Sequence, residues 1–474
     1  MTKEDNLLSL IPFRQTIDWN IKQFFHTSAI HSPFAFRKLR EVLTRRKDKM
    51  VVEDHLRYKR ITIKTNCGGV MVRDEVPGTE IKTKAQYYIL PGQLAVSKID
   101  ARNGAFGIVP PEADHAIITG NFWVYEVDPT LAHVDYLILL LSSRFFVQAW
   151  QDCSNGSGNR LYLQEQKFLD YEIPLPDVSV QETLVQTYRK ISSEAERRTG
   201  EAARLEQDID NYLWETLMIV PVEPRRAAHT LLGTTRFKRL IGWGANTNSN
   251  TVKPQEVFQS TRYKNLPLEV FCQVNPITKY PSALREISFV PMECVSDVYG
   301  EITAVYDGEV SQAKGYTKFQ ENDILWAKIT PCMQNGKCAV ARGLKNGFGY
   351  GSTEFHVLRA NPSTLPEYLY CFLRTKRLRE AATAYFTGSA GQQRVGADFL
   401  KALTIPALPV ASSNPGQMTQ ERLVAHIFEC KRQIKALHRE ADALRQRAKK
   451  EFEDAVFQPP ETSPDAESDV RGRI

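Results

Sequence analysis

At 392–394 the chain carries Gln392, Gln393 and Arg394 directly after a Gly-Ser-Ala-Gly run, three long polar side chains behind a pliant loop. Amides of this kind can pair bidentately with an adenine edge, and a guanidinium with guanine or phosphate, so the group has the chemistry of nucleic-acid contact. Two other constellations point elsewhere. Asp74 with Glu80-Ile81-Lys82 has the residue types of a metal-dependent nuclease, in which carboxylates hold Mg²⁺ and a lysine steadies the attacking water. Asp74 stands close for that pattern, however, and Lys82-Thr-Lys84 is equally a charged strand edge. Cys332 and Cys338, with His356 the nearest imidazole, leave a tetrahedral zinc short of a fourth ligand. The chain has no Gly-x-x-x-x-Gly-Lys-Ser/Thr phosphate loop, no methyltransferase amide-Pro-Pro-aromatic loop and no nucleophile-base pattern around its histidines. No residue is therefore assigned to catalysis, to a cofactor or to a metal.

The totals fit a protein of several domains: 474 residues, 42% of them hydrophobic and 24% charged. A net charge of +6 permits a polyanionic partner without requiring one. The 8 cysteines contain no Cys-x-x-Cys pair and are expected to be reduced, mostly buried thiols. The best apolar run, VDYLILLL at 134–141, is about half of what a membrane span needs. MTKEDNLLSL lacks the order of a secretory signal, so the expected location is the cytoplasm.

Behind these residues lies a repeat. Gln93-Leu-Ala-Val-Ser-Lys-Ile faces Asp323-Ile-Leu-Trp-Ala-Lys-Ile, which aligns Lys98 with Lys328, and Asn103-Gly104 follows as Asn335-Gly336. Asn121-Phe-Trp-Val matches Glu354-Phe-His-Val, and Asp135-Tyr-Leu matches Glu367-Tyr-Leu. Gly-Ser loops recur at 156–157 and 388–389, IPLP at 173–176 recurs as IPALP at 405–409, and Gln181-Glu182 recurs as Gln420-Glu421. The offset stays between about 230 and 240 residues throughout, so one module is written twice. Short apolar runs with Gly and Pro borders predict strands, Asn-Gly predicts a tight turn, and one helix is expected near 133–150 and another near 365–386.

Each module ends in a long heptad pattern. Leu184, Tyr188, Ile191, Leu205 and Ile209 form one seam, with Arg198 and Gly200 as weak points, and Leu423, Ile427, Ile434, Leu437 and Leu444 form the other. Helices of this length want a partner, and two tandem copies related by a two-fold axis would send them in opposite directions. The expected fold is α+β: two tandem mixed α/β domains separated by two long helices in an antiparallel coiled coil, with pseudo-two-fold symmetry. The boundaries are an N-terminal extension 1–33, the first domain 34–178, spacer helix 179–218, linker 219–262, the second domain 263–410, spacer helix 411–457 and a disordered tail 458–474.

Taken together, IPLP…QETLV at 173–185, IPALP…QERLV at 405–424 and ISFVPMECV at 287–295 resemble the DNA specificity subunits of type I restriction-modification systems, over nearly the whole length. GSGNRLYLQEQKFL at 156–169 and GSAGQQRVGADFL at 388–400 resemble the family's loop late in each recognition domain. The first module departs at 58–84, where YKRITIKTNCGGVMVRDEVPGTEIKTK stands in place of the more typical ISFVPMECVSDVYGEI.

The resemblance implies a non-catalytic reader of double-stranded DNA, one module for each half of a bipartite asymmetric target. It implies docking of two methylation subunits and, through them, restriction subunits, with S-adenosylmethionine, ATP and Mg held by those partners and no membrane involved. The candidate DNA contacts are Lys98, Arg102, Asn103, Asn159 and Arg160 in the first module, and Lys328, Gln334, Asn335, Gln392, Gln393 and Arg394 in the second. Each has a plainer role open to it: a solvated strand end for the lysines, a turn for Asn103 and Asn335. A metal-dependent endonuclease and a coiled-coil scaffold are the rival readings.

Overall fold

The computed structural model describes residues 30–65, 68–157, 160–221, 252–388 and 392–457. The expected N-terminal extension up to residue 29, most of the linker, and the tail lie outside them. Contacts divide the chain into two units, Met1–Arg197 with Glu440–Ile474, and Arg198–Arg439.

In the first unit the strands are β1 (Phe36–Lys38), β2 (Leu43–Arg46), β3 (Lys49–Val51), β4 (Arg57–Ile63), β5 (Val70–Pro77), β6 (Ala85–Tyr88), β7 (Leu94–Ser97), β8 (Phe106–Ile108), β9 (Ile117–Ile118), β10 (Phe122–Val127), β11 (Ser154–Ser157), β12 (Arg160–Leu163) and β13 (Glu172–Pro174). Its helices are α1 (Leu39–Val42), α2 (Val134–Leu141), α3 (Arg144–Asp152) and α4 (Glu165–Leu169), after which the long α5 (Val178–Thr216) begins.

The second unit has β14 (Asn265–Pro267), β15 (Cys272–Val274), β16 (Glu286–Val290), β17 (Tyr306–Glu309), β18 (Thr317–Gln320), β19 (Ile324–Ala327), β20 (Cys338–Val340), β21 (Phe348–Gly351), β22 (Phe355–Ala360), β23 (Phe386–Thr387), β24 (Arg394–Val395) and β25 (Thr404–Pro406). Its helices are α6 (Pro366–Leu373), α7 (Lys376–Thr383) and α8 (Ala397–Ala402), followed by the long α9 (Gln420–Val456).

One sheet is the same in both units. Its order is β2-β10-β7-β8 in the first and β15-β22-β19-β20 in the second, antiparallel throughout. All four residues of β7 and of β19 are buried, because each strand is covered on both faces. Leu94 and Val96 face the helices while Ala95 faces a second sheet; Ile324 and Trp326 face helices while Leu325 faces the other way. This double cover explains why these strands read as unbroken apolar runs.

The second sheets agree more than the sequence promised. The first unit has β3-β6-β9-β4-β5 and the second β18-β21-β16-β17. Apart from the extra edge strand β3 the order is shared, including one parallel pair in each, β4 with β9 and β16 with β21. The stretch 58–84, expected to depart, thus carries the same pairing.

Each expected single helix is a pair, broken at Ser142-Ser143 and at Arg374-Thr375. The Ser142 hydroxyl bonds back to the carbonyl of Ile138 at 2.6 Å, and Thr375 Oγ1 accepts from Leu378 N to start a new helix. The Asn-Gly turns also differ from the expectation: Gly104 and Gly336 take positive φ, 73° and 86°, but their asparagines do not. The ends of the supposed linker are structured. Ile219 bridges Ser260, and Val257 and Phe258 are fully buried in the second unit's core.

The repeated motifs act as fasteners. Tyr136 and Tyr368 donate to the carbonyls of Pro174 and Pro406, at 2.9 and 2.6 Å, which docks the IPLP and IPALP strands. Gln181 is buried, accepts from His133 N and donates to the carbonyls of Leu131 and Pro176. Gln420 likewise accepts from Leu365 N and donates to Leu408 and Ser363 carbonyls. The glutamines of the Gln-Glu pairs therefore tie each long helix to the domain before it.

In the first unit Leu184, Val185 and Tyr188 of α5 pack with Phe452 and Val456 of α9; in the second, Ile209, Leu213 and Leu217 pack with Leu423 and Ile427. Rising numbers on one helix meet falling numbers on the other, so the helices run antiparallel. The remaining seam residues are buried, as Ile434 is, or half-buried, as Ile191, Leu205, Leu437 and Leu444 are. Helix α5 runs unbroken past Arg198 and Gly200. No described helix is long and apolar enough to cross a membrane.

Candidate nucleic-acid interface

The paired lysines sit one residue beyond the buried strands β7 and β19, and their backbones do the organising. Lys98 N donates to Asn121 O at 2.9 Å, and Lys98 O accepts from Leu163 N at 2.8 Å; Lys328 makes the same two bonds, to Glu354 O at 2.9 Å and from Val395 N at 3.0 Å. Each lysine thus fastens the late hairpin, β11–β12 or β23–β24, to the end of the central sheet. In the second unit Thr330 N also donates to Gln393 O, and Ile329 bridges Arg394.

This framework gathers Lys328, Gln334, Asn335, Gln392, Gln393 and Arg394 at one end of β19. Gln334, Asn335 and Gln392 are exposed, Gln393 half-buried. Their turn is braced from below, since Arg379 donates to Gln334 O at 2.6 Å and Arg374 to Gly336 O at 2.8 Å. Among the described residues no side-chain hydrogen bond engages any of these four amides, which leaves their donors and acceptors open to a partner. Arg394 differs. It grips Glu354 with contacts of 2.7–3.1 Å and donates to Gln392 O, holding the Glu354 carboxyl below its ordinary range. Its guanidinium is spent on shaping the loop.

In the first unit the Ala101–Asn103 turn follows Lys98 closely, whereas Arg160 starts β12 at the opposite end from Leu163, the residue that Lys98 holds. Asn103 is exposed, Arg102 lies in the turn Ala101–Asn103, and Asn159 is outside the described residues. The Lys98 ammonium lies 5.4 Å above the Trp123 ring, and burial, with Arg45 nearby, lowers its pKa. Arg45 in turn pairs with Glu165 at 2.6 Å. A cation held half-buried over an aromatic face is fixed in place by that ring.

The rival constellations are not assembled as catalytic groups. Both oxygens of Asp74 are taken by Arg60 at 2.7 Å each, which lowers its carboxyl pKa. His356 spends Nε2 on Val395 O and Nδ1 on Asn275. Among the described residues no group of three His, Cys, Asp or Glu could hold a metal.

Sequence reading missed a clamp in the second unit. Loop 296–301 is fixed to α9 and α6 by Lys431 and Tyr370, which donate to Tyr299 O, by Tyr299 against His438, and by Arg374 donating to the carbonyls of Asp297 and Val298. Burial, with Arg374 beside it, pushes Lys431 down to about 8. The available signal was Gly300, at φ 64°, where a side chain would strike the Tyr370 hydroxyl.

The chain matches no family model. It is 36% identical over 166 residues to the type I restriction enzyme EcoEI specificity subunit of Escherichia coli, covering 34% of this chain and 27% of that protein. It is 35% identical over 157 residues to the type I restriction enzyme EcoAI specificity subunit of the same organism, covering 32% and 25%. The chain thus spans about a quarter of the length of these curated relatives. Its fold is shared with a chain from a structure of a type I R-M system described for complex assembly and conformational transition, at a TM-score of 0.51 and 15% identity, covering 91% of this chain and 99% of that one.

Proposed function

We infer that this chain is the DNA sequence-recognition subunit of a type I restriction-modification complex. It binds a bipartite, asymmetric duplex target, one half to each unit, and carries no catalytic activity of its own. Two diverged readers in one chain suit an asymmetric sequence, whereas a dimer of one reader would demand a palindrome. The observation that carries this reading is the lysine-anchored hairpin, present in both units and presenting unpaired amides in the second. By the same reading two methylation subunits dock on the chain and restriction subunits join through them, with S-adenosylmethionine, ATP and Mg bound by those partners.

The test is selection of the full chain against a randomised duplex library, with Mg²⁺ present. The expected outcome is enrichment of one motif of two unlike halves at a fixed spacing, with every duplex left uncut. Enrichment of nothing, or cleavage by the purified chain, would overturn the assignment.

A further inference from the structure

The loop after β15 presents Ile277 to solvent. At 86% exposure it is the most exposed large apolar side chain among the described residues. The loop that carries it is pinned at both ends. Asn275 N donates to Val357 O at 2.6 Å and Asn275 Oδ1 accepts from Val357 N at 2.9 Å. Thr278 is buried and accepts from Arg359 at 2.8 Å, Arg359 itself being locked onto Asp323, and Tyr280 donates to Gly349 O at 2.9 Å. Pro276 fixes the backbone just before Ile277. The frame thus holds this apolar side chain outward, away from the core of the unit.

Beside it lies a cleft of about 380 Å³ lined by Pro276, Ile277, Thr317, Lys318, Lys328 and Phe355 among others, with no carboxylate in its wall. Three other cations of this unit are paired with acids, Arg359 with Asp323, Arg394 with Glu354, and Lys345 with Glu286 and Asp307. Lys318 instead lies 5.2 Å above the Tyr280 ring, and neither Lys318 nor Lys328 has an ion-pair partner among the described residues. Two ammonium groups free of direct ion pairs, one of them near the Glu354 carboxylate that Arg394 already grips, suit a phosphate, and an apolar side chain at the lip suits a thymine methyl or an opened base step. Lys328 belongs both to this wall and to the frame that holds Gln393.

We propose that this cleft seats a phosphate of double-stranded DNA between Lys318 and Lys328, and that Ile277 presses on the base edges next to it, reading the same half-site as the amides. The inference rests on the DNA-recognition reading above. It is confined to the second unit, because in the first only the polar Lys47-Asp48 separates β2 from β3.

The experiment compares the full chain with its Ile277→Ala, Ile277→Ser and Lys318→Ala variants on a randomised duplex library and, by titration at several salt concentrations, on the selected target. Both positions lie at the surface, and thermal melting checks that the fold is kept. Ile277→Ala and Ile277→Ser are expected to relax preference at one or two adjacent base pairs by about tenfold, with the salt slope unchanged. Lys318→Ala should weaken binding to all duplexes and lower the salt slope by about one. If the Ile277 variants select the same motif with the same affinity, or Lys318→Ala leaves affinity and salt slope alone, the cleft is overturned while the DNA reading stands. A wild-type chain that selects nothing overturns both.

Discussion

The two units share the order of both sheets, yet they differ in what joins the strands. In the first, β4 turns into β5 within a few residues and the two run as one long hairpin. In the second, the corresponding β16 and β17 are joined by residues 291–305, and that connection reaches α9 and is clamped there by Tyr299, Lys431 and Arg374. Likewise, β2 leads almost directly into the extra edge strand β3, where β15 leads into the stiff loop bearing Ile277. Hydrogen-bond order has been kept and connections have been rewritten. Such a division suits a pair of readers that must fold alike and contact different sequences.

The comparison can be broken at its buried polar positions. Asp323, 1% exposed, grips Arg359 at 2.7 and 2.8 Å and caps Gln320 N; at the matching place in the first unit stands neutral Gln93, which caps Leu90 N. Asp323→Ala leaves a partly buried guanidinium unpaired and is expected to cost about 3 kcal/mol, against about 1 kcal/mol for Gln93→Ala. Denaturant titration followed by hydrogen exchange in each unit measures both. Equal costs would show that the ion pair adds nothing to the shared scaffold. The fasteners should behave alike instead. Gln181→Ala and Gln420→Ala each orphan buried backbone groups and are expected to cost about 2 kcal/mol in their own unit. A cost in one unit and none in the other would end the equivalence of the two helix junctions.

The duplication, the long helices and the strands β7 and β19 were legible in the sequence because each has a periodic or repeated signature. The equivalence of the second sheets was not. TIKTN and FVPME share no pattern, since strand order is set by backbone hydrogen bonds that many side chains satisfy. At the candidate site the lysines stood out by position, but their organising groups are a backbone N–H and a carbonyl, which residue identity does not encode. Arg394 looked like a reader because arginine suits guanine; only the placement of Glu354, 40 residues earlier, shows the guanidinium already engaged. Ile277 was invisible for the opposite reason, as a lone isoleucine in a loop has no period to reveal that it is held outward.

The smallest difference between the units is a pH response. Trp123 on β10 corresponds to His356 on β22, which is 5% exposed. Because Val395 O can only accept, His356 Nε2 carries the proton and Nδ1 accepts from the Asn275 amide at 2.9 Å, so the ring is held neutral. Burial lowers its pKa from the ordinary 6.5; Lys328 also lowers it, against the opposing pulls of the Val395 bond and Glu354. With the folded value below the unfolded one, the unfolded chain takes up the proton first as the pH falls. The stabilisation is therefore complete above about pH 6.5 and is lost between that value and the lower folded pKa, with a slope of at most about 1.4 kcal/mol per pH unit. Exchange protection of β22 and β19 should fall between pH 7.5 and 5.5, while that of β10 and β7 provides the reference without such a group. In His356→Gln the difference should vanish, because glutamine can still donate to Val395 O but does not titrate. A pH trend of the same size in both units, or one that survives the substitution, would assign the response to other groups and leave the two sheets alike in this respect too.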